Sequence, residues 1–169
     1  RSFRQWIDLG FLAKEPLSLL DEMDSNNTQY VIMPHQVVHQ PESKTTPWRV
    51  VLDGGAADDG YLSLNDSLET GPNLLLDLRA ISIKFRFGRW YYTGDITKAF
   101  MQLELNKDDQ FIYMYWAEYN PATAEWVLEL YRFIRMPWGL NSSPFCLNAV
   151  IHHLFDTFRN DPRNHDYVD

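Results

Sequence analysis

The sequence predicts an α+β domain on three observations. Hydrophobic residues make up 45% of the chain and aromatics 15%, enough for a packed interior. Helical and strand-like patterns both occur, without the strict strand–helix–strand alternation of a parallel sheet. A length of 169 residues suffices for one domain with its own core. No apolar run approaches the roughly 18 residues of a membrane span, so no membrane partner is expected. The first residue is Arg1, and no charged-then-apolar signal pattern follows it, which suggests a piece cut from a longer chain. The single cysteine, Cys146, excludes an internal disulfide framework and a cysteine-based zinc site. It fits an intracellular compartment, cytoplasm or nucleus alike.

Residues 4–23 carry an amphipathic pattern that predicts one helix or two short ones, broken near Pro16. The polar run DSNNTQ at 24–29 is turn material. YVIMPHQVVH at 30–39 is apolar and β-branched on either side of Pro34, which places that proline on an edge strand or at a bulge. PESKTTP at 41–47 reads as a hairpin loop, and WRVVLD at 48–53 as the returning strand. GGAADDG at 54–60 is an acidic loop whose spacing does not fit a calcium loop, and 63–73 is turn-rich. Residues 74–87 have helical spacing, with Leu75, Leu78 and Ile81 facing inward and Gly88 as the stop. WYYTGDI at 90–96 is predicted as a buried strand, followed by a helical turn at 97–101. Residues 110–120 and 125–136 read as a strand pair about a turn at Pro121. After the loop at 137–144, Pro144 suits the first turn of a helix capped by Ser142 or Ser143. That helix, 145–158, places Phe145, Ala149, Val150, Leu154 and Phe158 on one face. The remainder is polar.

The net charge is −8, from 15 basic and 23 acidic residues, which as a whole disfavours phosphate binding. The charge is uneven. Arg79, Lys84, Arg86 and Arg89 occur together without an acid, whereas acids gather at 53–69 and 104–109. The segment YYTGDITKAFMQLEL, 91–105, sets Asp95 at the end of an aromatic run. Two roles fit such an acid. It can cap the following helical turn, or it can hold a hard cation, which prefers carboxylate oxygen and substrate phosphates. Gly94 leaves room for close approach to the backbone, and Phe100 follows as a flat wall. In RMPWGLNSSPF, 135–145, a Pro-Trp-Gly turn leads into a helix start that either forms a rigid capped loop or meets a phosphate or template strand. Arg49, beside Trp48, is either a surface arginine or one that stacks on a base or forks onto a phosphate. The adjacent His152 and His153 point in different directions and make a poor metal pair, and Cys146 is expected to pack.

Together and in this order, PHQVV, RVVLD, SLND, GPNLLLDL, DITKAFMQLEL and YRFIRMPWGLNSSPFCLNAV resemble the reverse transcriptase domain of retroelements, nearest to the BEL/Pao type of long-terminal-repeat retrotransposon. The resemblance runs from about residue 6 to 160. It implies a right-hand polymerase architecture, with fingers at about 1–88 and 108–142 and palm at about 89–107 and 143–169. Asp95 matches the first metal-binding aspartate of the palm, and Ile96 the residue whose backbone carbonyl joins it. Phe100 matches the aromatic steric gate that fills the space of a ribose 2′-OH. Arg49 matches the fingers arginine that contacts the incoming nucleotide, and Lys44 lies in the preceding hairpin as a phosphate-binding lysine. Trp138 and Gly139 match the pair beneath nucleotide and template, where many relatives carry Phe or Gln in place of Trp. Ser143 and Pro144 match the start of the palm helix.

The resemblance further implies Mg²⁺, deoxynucleotides, an RNA or DNA template-primer, and a parent polyprotein with protease, RNase H and integrase domains. Two-ion nucleotidyl transfer requires several carboxylates at one point, because ions roughly 3.5–4 Å apart hold the attacking and leaving oxygens. The other carboxylates belong to a Y-x-D-D hairpin. Tyr167-Val168-Asp169 has its first three characters, but the polar lead-in NDPRNHD is no buried strand. The expectation is therefore a domain truncated before or at that hairpin, inactive as an isolated chain. The alternative is a decayed or domesticated remnant that binds nucleic acid or protein without catalysis.

Overall fold

The computed structural model describes residues 2–44 and 46–167. The chain opens with α1 (Ser2–Asp8), which stops where Gly10 turns at φ +67. A strand follows, β1 (Leu12–Glu15), and then α2 (Ser18–Ser25). The continuous helical pattern expected over 4–23 is thus interrupted by a strand. Four residues are too few to show an alternation of their own, and pairing with a distant strand decides their conformation.

Pro34 separates β2 (Val31–Ile32) from β3 (His35–His39), as its missing N–H requires. Its carbonyl accepts the Asp53 N–H at 2.9 Å. β4 (Trp48–Leu52) returns antiparallel to β3, with His35 opposite Leu52 and His39 opposite Trp48. The turn-rich segment contains a short helix, α3 (Leu64–Ser67), closed by a reciprocal cap between Ser63 and Asp66.

The next stretch departs most from expectation. The helix foreseen over 74–87 is only α4 (Leu78–Lys84), capped by Asp77. Its supposedly inward positions Leu75, Leu78 and Ile81 are exposed. Residues 90–96 are no buried strand: Trp90 lies in a bend and 91–96 have no regular structure, with Tyr92 at 94% exposure. A strand exists only by its neighbour's hydrogen bonds, and among the described residues none lies alongside. One 3₁₀ turn, Ala99–Gln102, follows where a helical turn was expected.

β5 (Ile112–Asn120) and β6 (Glu125–Phe133) form the predicted hairpin, turning at 121–124 with Ala124 at φ +56. β1 pairs antiparallel with β6, and β2 pairs parallel with β5, giving a mixed sheet in the order β1-β6-β5-β2. Both edge strands are short, which limits unwanted pairing. The last helix, α5 (Ser143–Asn160), carries Pro144 in its first turn. Ser142 stands at its cap position without a side-chain cap bond, contrary to the serine cap expected there.

The core lies between α1, the sheet and the 3₁₀ turn. Phe3, Trp6, Leu12, Met101, Met114 and Phe133 belong to it. Phe3 stacks on Trp116 at 3.9 Å between ring centroids. Outside this body the apolar face of α5 is open: Val150, Leu154 and Phe158 are exposed. Cys146 is half-buried, and His152 Nε2 lies 3.2 Å from the Leu74 carbonyl. Among the described residues no helix is long and apolar enough to cross a membrane.

Candidate functional site

A cleft of about 570 Å³ opens where α1, β4, the 3₁₀ turn and the loop after β6 meet. Each wall has a local cause. β4 runs along the cleft and contributes Trp48, Arg49, Val50 and Val51, and Trp48 stacks on its cross-strand partner His39 at 4.1 Å. From α1 come Gln5 and Trp6, the latter edge-on to Trp138 at 4.9 Å. The 3₁₀ turn contributes Lys98, Ala99, Phe100 and the buried Met101.

The Trp138 loop is fixed by close backbone packing. Gly139 turns at φ +85, and a Cβ there would stand 2.6 Å from the Leu52 carbonyl oxygen. A Cβ on Gly54 would stand 2.7 Å from the Gly139 oxygen. Asn65 ties these pieces together. Its Nδ2 donates to the Gly139 carbonyl at 3.1 Å, and its Oδ1 accepts the Asn141 N–H at 2.9 Å. The Asn65 N–H donates to the Gly54 carbonyl at 2.8 Å. Asn65 was not singled out from the sequence, because its partners are 11 and 74 or more positions away and leave no local pattern.

The cleft is cationic although the chain carries a net charge of −8. Two cations, Arg49 and Lys98, line it, and no acid does. Neither pairs with a carboxylate among the described residues. A wider groove of about 1080 Å³, beside β2, has the opposite character. Asp24, Asp53 and Asp58 line it without a cation, so it does not suit phosphate.

Three of the residues predicted from the sequence meet in the cationic cleft: Arg49, Phe100 and Trp138. Gly139 shapes it from behind. Lys44 is exposed in the loop before β4 and is not in the lining. Ser143 is buried, and its hydroxyl donates to the Pro137 carbonyl at 2.7 Å, so it is a loop lock, not a ligand group. Pro144 is exposed on the first turn of α5. Asp95 and Ile96 lie on the exposed, unpaired stretch before the 3₁₀ turn, outside the lining. The capping role open to Asp95 is not realised, because Lys98 occupies the cap position of the 3₁₀ turn. Lys98, Gln5, Trp6 and Trp48 complete the cleft without having been assigned to it. The neighbouring motif letters, Lys98 before Phe100 and Trp48 before Arg49, were the available signal.

The donor set for Mg²⁺ is incomplete. Among the described residues no three His, Cys, Asp or Glu side chains come together for a metal. One exposed carboxylate does not fit a two-ion site, which needs several converging oxygens. Val168 and Asp169, the end of the truncated Y-x-D-D reading, lie outside the described residues. The chain matches no protein-family model and no curated protein.

Proposed function

We propose that this chain is the fingers and partial palm of an RNA-directed DNA polymerase, and that the cationic cleft receives the incoming deoxynucleotide. One observation carries the reading. Arg49 and Phe100, 51 positions apart, share one cleft with Trp138, and that cleft holds two cations and no acid. In the proposal, Arg49 meets the triphosphate and base, Phe100 fills the space of a 2′-OH, and Trp138 supports the nucleotide from below. The unpaired stretch at 90–96 and the open face of α5 are where further palm strands would pack in such an enzyme. Asp95 would then face the acidic doublet of those strands, and Mg²⁺ would join at that point. Among the described residues the donor set is incomplete, and in this reading the isolated chain binds nucleotide without polymerising. Template-primer and the other polyprotein domains are partners of the parent enzyme.

Tryptophan fluorescence tests the reading, since Trp6, Trp48 and Trp138 all line the cleft. Titration with dTTP should change the emission. Arg49→Gln should weaken binding by about tenfold, the loss of one charge-assisted contact. Phe100→Ala should erase the preference for dTTP over its ribose counterpart. Primer extension with Mg²⁺ should give no product. Template-dependent incorporation that vanishes in Asp95→Ala would overturn the proposed inactivity. The second reading, a non-catalytic remnant, is favoured because no metal-binding cluster gathers around Asp95 among the described residues. Salt-dependent binding to an RNA–DNA duplex without any dTTP response would select it.

A further inference from the structure

We propose that Lys98 is a second phosphate-binding group of the cleft, acting with Arg49 to neutralise the polyphosphate of the nucleotide; this rests on the nucleotide reading above. Three features of the turn point to it. First, Lys98 holds φ +53, a left-handed conformation. Gly or Asn would adopt it at lower cost, because an L side chain with a Cβ is strained there. A lysine stands in a position whose backbone favours other residues, and such outliers gather at functional sites. Second, the ammonium is held in place. Nζ donates to Gln5 Oε1 at 3.0 Å and lies 5.6 Å from the centroid of the Phe11 ring. Both contacts orient the charge without neutralising it.

Third, the charge is left uncompensated. Arg49 and Lys98 line one cleft, no acid shares the lining, and neither has a carboxylate partner among the described residues. Two cations lining one hollow that no acid shares favour an anion there. A ligand with more than one negative charge satisfies both at once. A polyphosphate meets that requirement, and the aromatic walls Trp48, Phe100 and Trp138 suit the base and sugar attached to it. Lysine serves such a role as a mobile point charge, complementing the planar fork of an arginine.

The competing role for Lys98 is a tether that pins the 3₁₀ turn to α1 through Gln5 and Phe11. The two roles differ in how binding depends on phosphate count. Affinities of dTMP, dTDP and dTTP for the 169-residue chain, read by tryptophan fluorescence, should rise with each phosphate. Lys98→Gln should flatten that rise, lowering dTTP affinity about tenfold while leaving dTMP within about twofold. Lys98→Arg should restore most of it. If Lys98→Gln does not fold, Lys98→Met, which keeps the aliphatic stem over Phe11, takes its place. A dTTP response lost in Arg49→Gln but unchanged in phosphate dependence by Lys98→Gln sinks this inference and leaves the nucleotide reading standing. A wild-type chain blind to all three nucleotides removes both.

Discussion

Gly139 shows how a single residue serves two purposes. Its φ of +85 sets the direction of the loop, and its bare α-carbon lets the backbone lie against the Leu52 carbonyl. The sequence marks this glycine as part of a Pro-Trp-Gly turn, and the resemblance places it beneath a nucleotide. Its packing against β4 was not readable, because nothing local links positions 52 and 139. Gly139→Ala combines a left-handed strain with a contact of 2.6 Å against backbone, which cannot swing aside. The variant should lose about 1–3 kcal/mol of stability, seen as a lower midpoint in urea with an unchanged slope. Because Trp138 is its neighbour, the same variant should also bind dTTP more weakly. Ser143 gives the opposite lesson. A serine before Pro144 reads as a cap from sequence, but its hydroxyl finds the Pro137 carbonyl instead. Which acceptor a hydroxyl takes is a tertiary matter.

Among the elements, the two hairpins were legible and the isolated strands were not. β3–β4 and β5–β6 announce themselves by β-branched or aromatic runs on either side of Pro, Gly or polar turns. β1, only Leu12–Glu15, does not, and it forms because β6 offers it an edge. The converse holds at 90–96, where a strand-like composition has no partner and stays unpaired. The hairpin β3–β4 docks on the larger sheet partly through His35, whose ring stacks on Trp116 at 5.5 Å and 21°. Burial there pushes the His35 pKa below its usual 6.5, since desolvation disfavours the charged imidazole. The sign follows. At pH 8 the imidazole is neutral in folded and unfolded chains alike. As pH falls through about 6.5 the unfolded chain takes up a proton that the folded chain resists, so stability declines. The decline ends below the folded-state pKa. Chemical denaturation between pH 8 and about 5.5, above the ordinary carboxylate range, should show this loss. His35→Phe keeps a ring against Trp116 and should remove it; an unchanged pH slope in that variant would place the titration elsewhere.

The whole molecule is unequal in its two parts. The body of sheet, α1 and 3₁₀ turn buries most of its apolar side chains, the far end of the β5–β6 hairpin (Trp126, Val127, Leu128) excepted, whereas α4, 90–96 and α5 expose many of theirs. Trp90 is 79% exposed, Leu154 64% and Phe155 62%. The helical period of 145–158 was readable, and so was its apolar face; what that face packs against is information from elsewhere, and the periodicity could not supply it. Large exposed apolar side chains gathered on one helix are unfavourable in water, because each 100 Å² of apolar surface left wet forgoes about 2.5 kcal/mol. In the proposed polymerase reading the palm sheet covers it. In the isolated chain the same driving force should draw copies together as concentration rises. Leu154→Glu with Phe155→Glu replaces one exposed branched side chain and one exposed ring by charges without touching the buried core. Sedimentation velocity at increasing concentration should therefore show wild-type association and a largely monomeric double variant. The two proteins should melt within a few degrees of each other, since surface changes rarely exceed about 0.5 kcal/mol. A double variant that melts much lower would mean that α5 packs this face against the body in solution, and the association prediction would fail.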